Sequence, residues 1–236
     1  LIQAAINKIL SLAKPEELTI DGRRYTSGGI VPVLNPEPKV MTVHTLTGLR
    51  DYIDNNPDRL DYQQLVLRVY SPIKVALFSS LQGDFAQRYA YLSAEHDTPE
   101  FAFGGYLDVE TFIIGLQAQF VPDEMTGKLL QLVGNLTDSD IRTFADDGVT
   151  QQVTAKNGVG RLENVAVPNP VVLRPRRTFC EIEQPEGRFV LRMKSNGERP
   201  CIKLVEADGG AWRLVAINTI REWLQKNITA KVVIIA

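Results

Sequence analysis

Arginine is the residue type whose distribution in this 236-residue chain comes nearest to chemistry. Arg174, Arg176, Arg177, Arg188, Arg192, Arg199 and Arg213, joined by Lys194 and Lys203, fall within the stretch 168–228. A guanidinium is a planar fork that meets phosphate or carboxylate through two parallel hydrogen bonds. Arg188, Arg192 and Lys194 interleave with Phe189, Leu191 and Met193, the period of a strand with one wet and one buried face. Glu181, Glu183, Glu186, Glu198, Glu206 and Asp208 lie among these cations, and cross-strand ion pairing is the commoner use of such a mixture. Two readings therefore stand side by side. One is a solvated, ion-paired face; the other is a phosphate-recognising face carried by Arg176, Arg177, Arg188, Arg192 and Lys194. Tyr89 and Tyr91, with Phe85, fall on an expected strand where bases could stack, although a core stripe explains the same spacing.

Other chemistry-bearing residues point less far. Asp97 follows His96, but a triad needs a nucleophile and a metal site needs further ligands, so His44 and His96 read as loop histidines. Asp138, Asp140, Asp146 and Asp147 could hold Mg²⁺ or act as acid and base. Gly148 after Asp147 already explains that pair as a turn. Gly104 with Gly105 and Gly209 with Gly210 lack the strand-to-helix context of a phosphate loop and read as turns. Cys180 and Cys201, both on expected strands, read as small buried thiols. The expectation is binding rather than catalysis, with no cofactor and no metal.

The elements that must position these residues can be read from periodicity and turn chemistry. Ile2, Ile6, Ile9, Leu10 and Ala13 predict an amphipathic helix ending at Pro15. Asp21 and Gly22 predict a type I′ hairpin between 18–20 and 23–26. A helix is expected at 47–55, burying Leu49, Tyr52 and Ile53, followed by strands at 65–70, 73–79 and 85–92. Asp108 is placed to cap a helix over 109–120 that Pro122 stops, and a second helix over 124–133 ends at Gly134 and Asn135. Strands follow near 149–155 and 162–167. In 168–228, turns at 184–187, 195–197 and 208–210 separate four strands. Thr219 and Glu222 then form a capping box opening a helix with Ile220, Trp223, Leu224 and Ile228 on one face, before a last strand at 232–235. The expected class is α+β, mainly antiparallel sheet, with a C-terminal four-stranded meander plus helix and a helical middle segment. One domain over 1–236 is expected, with a weak boundary that would divide it into 1–135 and 140–236.

Composition bounds the rest. Hydrophobic residues make up 44% and charged residues 23%, which is ordinary globular usage. A net charge of −2 argues against coating nucleic acid through bulk positive charge and leaves room for a local basic patch. No apolar run approaches the roughly 18 residues of a membrane span. Residues 1–14 lack the features of a signal peptide, and two cysteines do not make a disulfide framework, so a reducing, cytoplasmic setting is expected.

The segments VPNPVVLRPRRTFCEIEQPEGRFVLRMKSNGERPCIKLVEADGGAWRLVAINTIREWL, FAFGGYLDVETFIIGLQAQFV, VGNL and DDGVTQQVTAKNGV carry a resemblance. Over most of its length the chain resembles phage and prophage proteins of low-GC Gram-positive bacteria. The FVLR and PCIKL strands and the helices before them are also loosely similar to the YfdQ-like domain of unknown function of enterobacterial prophages. The resemblance implies a place among early or DNA-metabolism genes, in genome handling, host takeover or counter-defence, and supplies no catalytic residues. The expected function is a phage- or prophage-encoded, non-enzymatic protein binding nucleic acid or a nucleotide. The alternative is a self-assembling or protein-interaction component, a homo-oligomer joined through the N-terminal helix and the strand at 232–235. A metal-dependent enzyme using Asp146 and Asp147 is the third reading.

Overall fold

Among the described residues, alternation of period two along the strands at 65–71, 171–173, 187–195 and 200–206 and apolar stripes of period near 3.6 in four helices build two cores. The structure is a computed structural model that describes residues 2–5, 8, 17–26, 31–32, 34, 36–135, 145–146, 151–157, 161–167, 169–195 and 200–236. Residues 2–5 and 8 are helical (α1). β1 (Glu17–Ile20) and β2 (Arg23–Thr26) form the expected hairpin, with Asp21 and Gly22 at φ 51° and 78°, and β3 (Val31–Pro32) extends it.

The first large sheet has the order β15-β5-β6-β7-β4, from β4 (Met41–Val43), β5 (Leu65–Ser71), β6 (Lys74–Ser79), β7 (Ala90–Glu95) and β15 (Val233–Ile235). β5, β6 and β7 are antiparallel neighbours, while β4 and β15 join the two edges in parallel. Leu65, Leu67, Val69, Val75, Leu77 and Leu92 on one face meet α2 (Leu46–Asn55) and α5 (Ala211–Asn227). Thr45 caps α2 by accepting from the Gly48 N–H, and Asn56 ends it in the left-handed region.

The second sheet is a four-stranded antiparallel one in the order β12-β13-β14-β8. Its strands are β8 (Leu107–Asp108), β12 (Val171–Leu173), β13 (Gly187–Ser195) and β14 (Pro200–Glu206). One face carries Phe189, Leu191, Met193, Ile202 and Leu204, covered by Phe112 and Leu116 of α3 (Val109–Gln119) and Leu129, Leu132 and Val133 of α4 (Glu124–Gly134). Asp108 and Asp123 accept from the third N–H of α3 and α4. A smaller sheet joins β9 (Ala145–Asp146), β10 (Gln151–Asn157) and β11 (Arg161–Val167). The chain is α+β, and a four-stranded antiparallel sheet followed by a helix stands where the periodicity placed one.

Several local expectations need correction. The fourth strand of the second sheet is β8, not a segment near Cys180. Residues 174–186 are irregular, Cys180 is exposed in a turn, and Cys201 is half-buried on β14. The segment does not turn at 184–187, because buried Gln184 uses its side chain to hold it, accepting from the Arg177 and Thr178 N–H groups and donating to the Phe179 carbonyl. The strand expected at 85–92 starts only at Ala90, after turns at 81–87 closed by a Gln82–Gln87 bridge. Nor does α5 begin at Thr219. It begins after Gly210, and Thr219 lies mid-helix with its hydroxyl donating to the Val215 carbonyl. The apolar phase Trp212, Ala216, Ile220 and Leu224 runs through that point unbroken. Asp138, Asp140, Asp147 and residues 196–197 of the expected turn lie outside the described residues.

Segment 174–186 ties the cores together. Phe179 and Ile182 belong to the first core, the Thr178 hydroxyl donates to the Pro72 carbonyl, and Glu181 accepts from the Thr47 N–H at 2.9 Å. Arg177 meanwhile pairs with Glu206 on β14. Each core thus draws residues from both sides of 135–140.

Candidate functional site

With Phe189, Leu191 and Met193 turned inward, β13 must turn Arg188, Val190, Arg192 and Lys194 outward. β14 presents Cys201, Lys203 and Val205 to the same outer side, with Lys203 opposite Arg192 and Val205 opposite Val190. α3 and α4 sit on the other face. Arg188, Arg192, Lys194 and Lys203 therefore share one face of one sheet. Lys203 carried a readable signal, its alternation with buried Ile202 and Leu204.

Tyr106 completes this face and was missed. It precedes β8, and its ring centroid lies 4.0 Å from the Lys194 Nζ and 4.7 Å from the Lys203 Nζ. A ring between two ammonium groups offsets their mutual repulsion and keeps them together. Nothing local marks Tyr106 for this role, since β8 is only two residues long and pairs with a strand far along the chain. The carboxylate of Asp108, opposite Cys201, has no Lys or Arg nitrogen within 4.0 Å among the described residues. It is committed to α3, where bonds from the Thr111 N–H and hydroxyl hold it below the usual carboxylate range.

Arg176 and Arg177 lie elsewhere, at the end of this sheet. Arg177 is 3% exposed, its guanidinium carbon 3.7 Å from the Trp212 ring centroid and 5.6 Å from that of Phe189. Burial pulls its pKa down to about 10 against the favourable fields of Glu206 and Asp208, so it stays cationic at neutral pH. Arg176 is exposed. The structure thus divides the expected residues, Arg188, Arg192 and Lys194 on the outer face and Arg176 and Arg177 at the sheet's end.

Tyr89 and Tyr91 belong with the first sheet. Tyr89 is buried with its backbone N–H donating to the Ser79 hydroxyl, and half-buried Tyr91 packs on the first core. Neither is brought to the arginines. His44 Nδ1 lies 3.0 Å from the Glu95 carbonyl oxygen, whereas His96 is half-buried against Phe179, where burial lowers its pKa. Among the described residues no group of three or more His, Cys, Asp or Glu side chains could hold a metal ion, and no helix is long and apolar enough to cross a membrane. No family profile, curated protein or solved structure matches the chain.

Proposed function

We propose that this is a non-enzymatic binding protein, of the phage or prophage kind its sequence resembles, that holds a phosphate backbone on the outer face of β13 and β14. The reading rests on one observation, the shared face of Arg188, Arg192, Lys194 and Lys203. Residues two apart on a strand stand about 7 Å apart on one side, so Arg192, Lys194 and Lys203 form one cluster and Arg188 stands about 13 Å from Arg192 beyond Val190 and Val205, a short interrupted track along which a single nucleic-acid strand could lie. Half-exposed Tyr106 offers an aromatic edge beside that track. Phosphate contacts of this kind position a strand without reading its sequence, and a cytoplasmic setting follows from that role.

The test is fluorescence anisotropy of a labelled oligothymidylate over a range of salt. Arg188→Ala with Lys194→Ala should weaken binding and flatten the logarithmic salt slope by about 0.7 per lost contact, with the thermal midpoint little changed. An unaltered affinity and slope would sink the reading. Self-assembly is the second reading, and it rests on β15. That strand pairs within its own chain to β5, but Val233 and Ile235 remain 58% and 49% exposed at the sheet's edge. Light scattering that finds a monomer at micromolar concentration removes it.

A further inference from the structure

Arg176 and Arg177 line a cavity of about 320 Å³ together with Arg213, Trp212, Phe101 and Phe103. Three guanidinium groups meet two carboxylates there, Glu100 and Glu206. Glu206 is engaged by Arg177 Nη1, and neither Arg176 nor Arg213 has a carboxylate within 4.0 Å among the described residues. The lining itself holds one more guanidinium than carboxylate, while Asp208 stands nearby with its field on Arg177.

The buried donors sharpen it. Nε and Nη2 of Arg177 are enclosed with no acceptor among the described residues, and so is Nε1 of Trp212. Enclosed donors are ordinarily satisfied, and three without acceptors in two lining residues of one cavity call for a common explanation. Helix α5 also starts here. Its N-cap, Gly210 at φ 81°, offers no side chain to the first turn, and the Asp208 carboxylate stands at that terminus, accepting from the Gly210 N–H at 2.9 Å.

We propose that this cavity binds a compact aromatic anion, a flat ring carrying one phosphate or carboxylate. Exposed Arg176 and Arg213 meet the anionic head first. The head then supplies the acceptor that Arg177 and Trp212 lack as the lining adjusts around it. Phe101 and Phe103 give the ring an apolar wall. Arg177 is held between Trp212 and Phe189 and bonded to Glu206, so binding has to shift the lining only far enough to uncover the enclosed Arg177 Nε and Trp212 Nε1. The volume lies at the low end of the roughly 300–1,000 Å³ of ligand pockets, which admits a small molecule and not a polymer. This site is distinct from the sheet face, and either can fail without the other.

Titration calorimetry and tryptophan fluorescence on the full chain test it, with phenyl phosphate, benzoate, phenol and inorganic phosphate as probes. Phenyl phosphate or benzoate should bind at submillimolar concentration and perturb Trp212 emission, an effect lost in Trp212→Phe, and their ratio assigns the head group. Phenol should not bind, and inorganic phosphate should bind more weakly than phenyl phosphate. Arg213→Ala, an exposed change that leaves the Arg177 packing in place, should weaken the better probe about tenfold. Arg188→Ala with Lys194→Ala should leave it unchanged. Failure of both aromatic anions to bind at millimolar concentration, or full affinity in Arg213→Ala, overturns the proposal.

Discussion

Arg177 concentrates the conflict between charge and burial in one side chain. Its partner Glu206 is 30% exposed, so the pair is only partly desolvated. Glu206→Gln should therefore cost roughly 2 kcal/mol, short of the loss seen when a fully buried pair is broken, as read from the urea midpoint. Gly187 makes the packing possible. A Cβ there would meet Arg177 Nη2 at 2.6 Å and the Phe189 ring at 3.0 Å, so Gly187→Ala is expected to destabilise by about 1–3 kcal/mol. His96 supplies a pH signature. Burial lowers its folded pKa against the opposing fields of Asp97, Glu100 and Glu181, so folding favours the neutral ring. That contribution is present above the unfolded value of about 6.5 and is lost as pH falls below it. The carboxylates of Glu95 and Asp108, lowered mainly by bonds from Lys74 and Thr111, lose theirs only at lower pH. His96→Gln should flatten stability between about pH 7 and 5.5, and an unchanged slope in melts across that window would refute the assignment. The sequence marked Arg177 as a candidate but could not tell that it is buried, because Glu206, Phe189 and Trp212 close over it only once the chain has folded.

Among the elements, β13 was legible and the start of α5 was not, for physical reasons that differ. Strand alternation records which face is buried, so Arg188, Arg192 and Lys194 could be assigned to one side before any partner strand was known. A glycine N-cap has no side chain to announce a helix, and a Thr-x-x-Glu pattern inside the helix imitates an entry. Helix α3 shows a similar contest at Gly115. Alanine there would gain about 1 kcal/mol of helix propensity. Its Cβ, however, would stand 2.7 Å from the ring of Phe101, which Phe103, Phe112 and Phe120 hold in place. Overpacking costs about 1–3 kcal/mol, so Gly115→Ala should lower the thermal midpoint. At Asp123, the cap of α4, Arg174 adds a second partner at 3.6 Å. Asp123→Ala should cost at least about 1 kcal/mol, seen as a lower urea midpoint.

At the scale of the whole molecule, two cores could melt apart, yet segment 174–186 sends Phe179 and Ile182 into one and Arg177 to the edge of the other. Circular dichroism and Trp223 fluorescence should therefore trace one coincident unfolding transition. Gln184→Leu would leave the Arg177 and Thr178 N–H groups without their acceptor and should cost about 2–3 kcal/mol, enough to separate the two probes. This coupling was not legible, because β8 and β15 reach their sheets from far away in the chain and neither carries a pattern naming its partner. The place of β15 has a further consequence. Val66, Leu67 and Arg68 pair with Val233, Ile234 and Ile235, so a nascent chain leaving the ribosome exposes the β5 edge throughout synthesis of everything between them. Translation stalled anywhere in that interval would present an open strand edge to chaperones and proteases, an edge that stays unpaired until β15 emerges.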